Sequence, residues 1–591
     1  MFKIKICRQI GWNRALGLLL IIWLVFLLMA FTLLRHEGSD SQTSIRLNKA
    51  FKELQLLHQQ RTEINQLLSV FQNGDSFLKE EDKEAFFKSL QERVVKADSL
   101  LDGANFVGDS YLITKEEPSL QYEKLRRRLK MGVNEMWYFI NSQVKQILKH
   151  SKELPPNVIS RLNHVLEEGV EHKRSMLKDV QTLGEIDGYA SWRVKEAAVL
   201  SDLVQRRLRY LQNPKDCSTA RKLICNLNKG CGYGCQLHHV VYCLVVAYGT
   251  ERTLILKSKG WRYHRPGWEE VFKPVSDTCL DPSGSTVGNW PGSTNTQCVM
   301  LPIIDSISPR PPFLPLSVPL DLAPRIARLH GDPIVWWIGQ FLKYLLRPQP
   351  ATSALLQSSL DKFGFKKPIV GVHIRRTDKV GTEAAFHSLD EYMTVVEEYY
   401  KQLSLTTNVE VKRVYLASDD PKVFQEIKKK YPEYEALGDP SVAKGAAVAT
   451  RYSDNSLNGI IMDIHFLSLC DYLVCTFSSQ VCRVAYEIMQ ALHPDAADKF
   501  RSLDDIYYYG GQNIHRRVAI LPHRASSADQ MDLDIGDTIG VAGNHWDGYS
   551  KGRNLKSNKI GLYPSFKVED LVETVEFPTY TEVPLEAPSG T

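Results

Sequence analysis

Residues 370–383 read Val-Gly-Val-His-Ile-Arg-Arg-Thr-Asp-Lys-Val-Gly-Thr-Glu. An apolar, β-rich run over 369–372 ends abruptly in charge: His373, Arg375, Arg376, Asp378, Lys379 and Glu383. A buried parallel strand has this form when it delivers polar groups to the carboxyl edge of a sheet, where α/β proteins bind ligands. Two adjacent arginines there suit a diphosphate, because the guanidinium fork matches phosphate oxygens and stays charged. The competing reading is an ion-pair cluster that caps the strand.

The chain around this stretch has 591 residues, enough for several domains, and its net charge of +5 is too small to argue for a nucleic-acid partner. Residues 15–34 are an apolar run long enough to span a bilayer as a helix. Lys3, Lys5, Arg8 and Arg14 precede it, which predicts a cytosolic tail over 1–14, a transmembrane signal-anchor over 15–34 and a lumenal remainder. A cleaved signal peptide would have a shorter apolar core and a small-residue cleavage site. The cysteines agree with an oxidising lumen. Cys217, Cys225, Cys231, Cys235, Cys243, Cys279 and Cys298 crowd one region, and Cys470, Cys475 and Cys482 form a second group. Zinc at Cys231 and Cys235 is the weaker reading, because no His pair stands at finger spacing. The sequence holds no Asn-x-Ser/Thr acceptor for N-glycosylation.

Residues 35–213 are predicted to be a helical coiled-coil stem. Leu47, Ala50, Leu54, Leu57, Arg61, Ile64, Leu68 and Phe71 keep a 3-4 spacing. A second helix is expected over 122–150, with Leu125, Leu129, Val133, Met136, Ile140 and Val144 on one face. Pro155 and Pro156 stop it, and Asn157 is placed to cap the next helix. A third amphipathic run covers 190–211. The stem reading makes the protein a homodimer held off the membrane; the alternative is a helical bundle within one chain.

A catalytic α/β body is assigned to 214–508, where strands alternate with helices. Cys231-Gly232-Tyr233-Gly234-Cys235 is a tight glycine loop before an apolar helix, suited to an anion or to a disulfide-stapled turn. Pro309, Arg310, Pro311, Pro312, Phe313, Leu314 and Pro315 have the form of a polyproline ligand for an SH3 groove, and equally of a rigid loop. Ser418-Asp419-Asp420 follows an expected short strand over 413–417. Its acids are wrongly spaced for Asp-x-Asp metal binding, and a helix cap is the better reading for one of them. Asp463 sits in an expected helix, facing a ligand or a buried partner. Ser478-Ser479-Gln480 joins a strand to a helix and again suits phosphate. Arg483 and Glu487 are spaced to pair along that helix.

The run from His373 to His387 resembles the signature of the α1,6-fucosyltransferases that core-fucosylate N-glycans. The shorter His-x-Arg-Arg element is shared more loosely with α1,2-fucosyltransferases and protein O-fucosyltransferases. The resemblance extends through the Cys231–Cys235 loop, the proline-rich loop, Asp463-Ile-His-Phe-Leu-Ser and Cys475-Thr-Phe-Ser-Ser-Gln-Val-Cys. It implies a metal-free, cofactor-free, GT-B-like catalytic domain with a Rossmann-type half. The implied reaction is inverting transfer of L-fucose from GDP-β-L-fucose to the 6-hydroxyl of the innermost Asn-linked GlcNAc. It further implies Glu383 as base with Lys379 and Asp378 beside it, and Arg375 on the diphosphate. Donor contacts are implied for His373, Arg376, Asp463, Tyr263, Ser479, Gln480, Gly232, Tyr233, Gly234 and Cys235, and acceptor contacts for Lys229, Glu383 and His545. The implied disulfides are Cys217–Cys279, Cys225–Cys243, Cys231–Cys235 and Cys475–Cys482, with Cys298 and Cys470 outside that framework. The location would be the Golgi membrane, as a single-pass type II protein acting on N-glycoproteins. A protein O-fucosyltransferase, or a membrane-anchored adaptor or lectin without enzymatic activity, are the rival readings.

Residues 512–573 are expected to form an SH3-like β-barrel, on the strength of Gly536-Asp537, Trp546 and Gly561-Leu-Tyr-Pro-Ser-Phe. Residues 574–591 read as a polar tail.

Overall fold

The computed structural model describes residues 117–149, 154–313, 316–377, 381, 384–447, 450–510 and 515–585. All fall in one compact unit, Thr114–Thr591. Three long helices open it: α1 (Leu120–Lys149), α2 (Pro156–Ile186) and α3 (Ala190–Gln212). The first two are antiparallel. Tyr122 donates its hydroxyl to Asp187 (3.1 Å) at one end, and the Trp137 ring packs over Gly169 further along. Helix α2 begins with Pro156 at its first turn and no side-chain cap, so Asn157 does not cap it.

Two expectations about this region are corrected. Among the described residues no helix is long and apolar enough to cross a membrane; the run over 15–34 lies outside them. Helices α1 and α2 are amphipathic, with charges such as Glu167, Glu171 and Arg174 along α2. Nor do the helices from Leu120 onward form a separate stem. Leu200, Leu203, Val204 and Leu208 of α3 are fully buried in the main core. The heptad-like stretch over 47–71 lies outside the described residues.

The body has the two α/β halves expected of a GT-B-like enzyme. In the first, β1 (Lys222–Asn226), β2 (Thr253–Lys257), β3 (Val287–Asn289) and β4 (Cys298–Met300) pair in parallel in the order β2-β1-β4-β3. Helix α4 (Tyr233–Gly249) connects β1 to β2 and is buried almost all round. Strand β5 (Ser317–Pro319) and helices α5 (Ala323–Leu329), α6 (Pro333–Leu345) and α7 (Pro350–Phe363) lead to the second half. There β6 (Ile369–Ile374), α8 (Leu389–Leu403), β7 (Lys412–Ser418), α9 (Lys422–Lys430), β8 (Tyr434–Leu437), α10 (Pro440–Gly445), α11 (Asp454–Leu469), β9 (Tyr472–Cys475), α12 (Gln480–Leu492) and β10 (Phe500–Ser502) alternate. The parallel sheet runs β10-β9-β6-β7-β8, so β6 is central and buried throughout. Gly371 gives close packing there: a Cβ would stand 3.1 Å from Cys470 Sγ and from Leu467 Cδ2, where α11 crosses the strand, and would push those side chains back.

The C-terminal module is a five-stranded antiparallel sheet, β14-β13-β12-β11-β15, from β11 (Arg516–Ala519), β12 (Thr538–Asn544), β13 (Tyr549–Asn554), β14 (Ile560–Pro564) and β15 (Val568–Asp570). It packs on α1: Phe139 meets the Tyr549 ring and Tyr138 the Trp546 ring, at centroid distances of 6.3 and 6.1 Å.

The segment after β15 is not a polar tail. Strand β16 (Glu573–Val575) pairs with β5 of the body. Phe577, Tyr580 and Val583 are buried in the main core, and Tyr580 donates its hydroxyl to the Tyr248 carbonyl (2.6 Å). Three apolar anchors among prolines and acids give little periodicity, yet each buries a large side chain. Phe577 packs on Tyr248, Trp337 and the proline-rich loop's Phe313. Phe577→Ala should therefore cost about 3–5 kcal/mol, read as a lowered urea midpoint. A solvated tail would give a change within about 0.5 kcal/mol.

Candidate active site

The site is built where parallel strands β6 and β7 end together. Their register pairs His373 with Ala417 and Ile374 with Ser418, which sets Asp419 opposite Arg375. Asp419 is 5 % exposed. Its carboxylate accepts the backbone N–H of Arg376 (2.8 Å), the backbone N–H of Thr377 (2.9 Å) and the Thr377 hydroxyl. It also pairs with the Arg375 guanidinium at 2.9 Å. Asp420 instead accepts the Lys422 N–H at the start of α9 (3.0 Å). So neither acid is the expected helix cap, because Pro421 holds that position without a side-chain bond; Asp420 stands just before it, and Asp419 organises the charged turn, a role that sequence reasoning missed.

The two arginines diverge. Arg375 is held at the strand end. Arg376 turns toward α9, donating to Glu426 (2.9 Å), and its guanidinium lies 5.0 Å from the Phe386 ring centroid. Its environment is that of a structural ion pair. His373 is buried, and Nδ1 has no hydrogen-bond partner among the described residues. Burial pushes its pKa down to about 4; Asp419 opposes that shift and Arg375 reinforces it. The imidazole is therefore neutral near pH 7. Asp378, Lys379 and Glu383 lie outside the described residues.

The glycine loop approaches from the other half. Cys231 and Cys235 form a disulfide, and Gly232 caps α4. The Tyr233 N–H is taken by the Tyr263 hydroxyl (3.0 Å). Burial raises the Tyr263 phenol's pKa, while the Tyr233 hydrogen bond and the charges of Arg451 and Arg375 oppose the rise. The Tyr263 ring packs edge-on against Tyr452, which in turn lies under the Arg262 guanidinium (3.8 Å). Gly234 is the contact point with the second half. A Cβ there would stand 2.9 Å from Gln480 Cβ and 3.1 Å from its backbone, so only glycine allows this approach.

The turn after β9 completes the edge. Ser479 caps α12 without a side-chain bond to it. The Ser478 hydroxyl is buried and has no partner among the described residues, and the Ser478 N–H reaches Asp504 Oδ1 at 3.4 Å. The hairpin carrying exposed His545 docks beside it: Trp546 donates Nε1–H to the Asp504 carbonyl (3.5 Å) and stacks under Arg501 (4.1 Å). Lys229 pairs with Asp305 at 2.6 Å. Arg483 and Glu487 do not pair: Arg483 donates to the carbonyls of Tyr508 (2.9 Å) and Gly510 (2.8 Å).

Other expected residues stand elsewhere. Asp463 accepts the Tyr415 hydroxyl (2.8 Å) between α11 and the sheet, the buried-partner alternative. In the proline-rich loop the Pro309 carbonyl accepts from Trp290 (2.8 Å), the Pro312 carbonyl from Ser317 (3.1 Å), and Phe313 packs on the core. The loop is thus tied into the body; Arg310 and Pro311 belong to it, while Leu314 and Pro315 lie outside the described residues. A cleft of about 640 Å³ between α7, α10 and α11 is lined by none of the residues expected at the site.

All four implied disulfides are present: Cys217–Cys279, Cys225–Cys243, Cys231–Cys235 and Cys475–Cys482. Cys298 and Cys470 are buried, free thiols. Among the described residues His239 converges with Cys225 and Cys243, but that disulfide leaves them no thiolate for a metal.

A family model described as alpha-(1,6)-fucosyltransferase N- and catalytic domains matches residues 4–508. The chain is 60% identical over 469 residues to the alpha-(1,6)-fucosyltransferase of Drosophila melanogaster, covering 79% of this chain and 76% of that protein. It is 42% identical over 458 residues to the alpha-(1,6)-fucosyltransferase of Caenorhabditis elegans, covering 76% and 78%. Among solved structures, the fucosyltransferase NodZ from Bradyrhizobium matches 46% of this chain and 93% of its own, at 12% identity and a TM-score of 0.29.

Asp463 carries a pH signature. Burial raises its pKa to about 7, with the Tyr415 hydrogen bond opposing the shift. A carboxyl raised in the fold binds its proton there but not in the unfolded chain, so it removes stability as pH climbs from about 4 to 7. Asp463→Asn keeps an acceptor for Tyr415 and abolishes the titration. Urea midpoints at pH 5 and pH 7 should show the variant gaining on the wild type as pH rises, by up to about 1.4 kcal/mol per pH unit.

Proposed function

The chain belongs to the alpha-(1,6)-fucosyltransferase family, and from that premise we propose that it transfers L-fucose from GDP-β-L-fucose to the 6-hydroxyl of the innermost Asn-linked GlcNAc of N-glycans. The observation that carries this reading is Arg375, oriented by Asp419 at the carboxyl edge of β6, next to His373, whose Nδ1 meets no partner among the described residues. A cation fixed at that edge suits a departing diphosphate.

The reaction is a single displacement. The acceptor 6-hydroxyl attacks the fucose anomeric carbon from the face opposite GDP, and a β-linked donor gives an α-linked product. Glu383 takes the hydroxyl proton, with Lys379 and Asp378 positioning it. Arg375 receives the charge that develops on the β-phosphate as the bond to C1 breaks. Ser479, Gln480 and the Gly232–Cys235 turn line the same edge, and Tyr263 closes it from the first half. The acceptor glycan enters beside Lys229 and the SH3-like module, where His545 lies. In this reading the Arg375 guanidinium, rather than a metal, meets the charge of the departing diphosphate. The four disulfides support a working place in the secretory lumen, which we assign to the Golgi.

Arg375→Lys keeps the charge but loses the fork, and kcat/KM for GDP-fucose should fall about 10²-fold or more. Glu383→Gln should remove turnover with GDP binding retained. Unimpaired transfer to a biantennary N-glycopeptide by either variant refutes the corresponding role.

The protein also acts as a homodimer in this reading. Leu125, Leu129 and Met136 of α1 are 44, 47 and 47 % exposed, while Val133 and Val144 face inward. Gly132 stands on open space between them. In this reading a second copy covers that apolar stripe. Leu129→Asp should convert a dimer to a monomer in light scattering; a monomeric wild type overturns the assignment.

A further inference from the structure

Behind the Ser478–Gln480 turn lies a buried polar network that the proposed chemistry does not use. His238 of α4 is 2 % exposed and Glu487 of α12 is fully buried. The imidazole Nδ1 lies 3.0 Å from Oε1 of Gln480, and Nε2 lies 3.1 Å from both carboxylate oxygens of Glu487. Tyr507 donates its hydroxyl to Glu487 Oε1 (2.7 Å). The Tyr509 ring packs 4.8 Å from the imidazole, and its hydroxyl donates to the His238 carbonyl.

The geometry is that of a brace. Gln480 and Glu487 stand two turns apart on one face of α12, and one imidazole from α4 touches both. Glu487 itself is fixed on the far side, where its carbonyl occupies the space that a Cβ on Gly339 would need. Gln480 is the first residue of α12, next to Ser479, and its backbone lies against Gly234 of the glycine loop. Gln480 is thus held at two levels, by Gly234 along the backbone and by His238 at the amide.

Burying a carboxylate and an imidazole costs more than packing apolar side chains of the same volume, so stability alone does not account for the network. A fully bonded buried network fixes one geometry. We propose that His238 is a positioning residue acting through Gln480. It holds the Gln480 amide and sets the spacing between the α4 and α12 N-termini, which flank the GDP site. This rests on the fucosyl-transfer reading for what the site binds.

Two conservative substitutions separate the role from mere packing. In His238→Gln the amide reaches where Nε2 stood, so Glu487 keeps its partner and Gln480 loses its own. In His238→Asn the amide stands where Nδ1 stood, and the reverse holds. Calorimetry with GDP and steady-state kinetics with GDP-fucose are read beside the melting temperature. His238→Gln should bind GDP about tenfold more weakly and raise KM for GDP-fucose by a similar factor, with kcat and melting temperature little changed. His238→Asn should keep GDP affinity near wild type although it melts earlier. In a Gln480→Ala background, His238→Gln should add nothing further. Wild-type GDP affinity in His238→Gln, losses that track melting temperature across the pair, or full additivity with Gln480→Ala each overturn the proposal. A wild type that binds GDP but transfers no fucose, with the His238→Gln loss intact, would sink the transfer reading and leave the brace standing.

Discussion

The carboxylate of Asp419 is the constraint on which the site depends. It is almost wholly buried, and an unpaired charge there would be costly. It is satisfied by two backbone N–H groups, one hydroxyl and one guanidinium, all from Arg375, Arg376 and Thr377. That set fixes the backbone leaving β6 and orients Arg375 in one step. It works only because β6 and β7 are parallel neighbours in a register that ends both strands at the same level. Removing Asp419 would take an ion pair from Arg375 and leave two N–H groups without an acceptor, so one carboxylate ties the turn to the cation.

The second half of the site is assembled by close approach rather than by charge. Gly234 admits the backbone of Gln480, Tyr263 spends its hydroxyl on the α4 N-terminus, and its ring leans on Tyr452. These contacts join the glycine loop of one parallel sheet to the loops of the other. A ligand spanning the two halves therefore meets an edge whose spacing is set by packed rings and one missing Cβ. With the Tyr233 N–H already engaged, the glycine loop offers fewer free donors than its sequence suggests. Its disulfide and glycine serve chiefly to bring the helices together.

Much of this was legible from residues alone. The buried strand ending in charge and the strand-to-helix turns at Gly232 and Ser479 follow from period and composition. The disulfide pairs came from family resemblance, not from spacing. What stayed hidden depends on register or on distant partners. Asp419 and Asp420 are indistinguishable in sequence, and only the pairing of β6 with β7 separates the organiser from the helix start. Arg375 and Arg376 are likewise equivalent until alternation along an extended segment sends them to opposite sides. Arg483 and Glu487 have ideal helical spacing, yet each has a better buried partner elsewhere. The returning segment at Phe577 and Tyr580 lacks periodicity, because its anchors fill pre-existing gaps in another element's core. The amphipathic face of α3 reads as a stalk seam because a stripe that meets the body looks the same as one that meets a second helix.

His373 shows how the constraint reaches the ligand. Burial and the Arg375 charge both disfavour its protonation, so the ring is neutral near pH 7 with one N–H and one lone pair. Its Nδ1 meets no partner among the described residues. A phosphate oxygen only accepts, and it would require the proton on Nδ1. A ribose hydroxyl both donates and accepts, so it satisfies Nδ1 in either tautomer. Arg375, one residue beyond the end of the strand, is a permanent cation, the kind of group that a phosphate pairs with. In the proposed reaction the two side chains of this strand end would therefore suit different parts of a nucleoside diphosphate: a permanent cation for the charge and a neutral, two-way partner for the sugar.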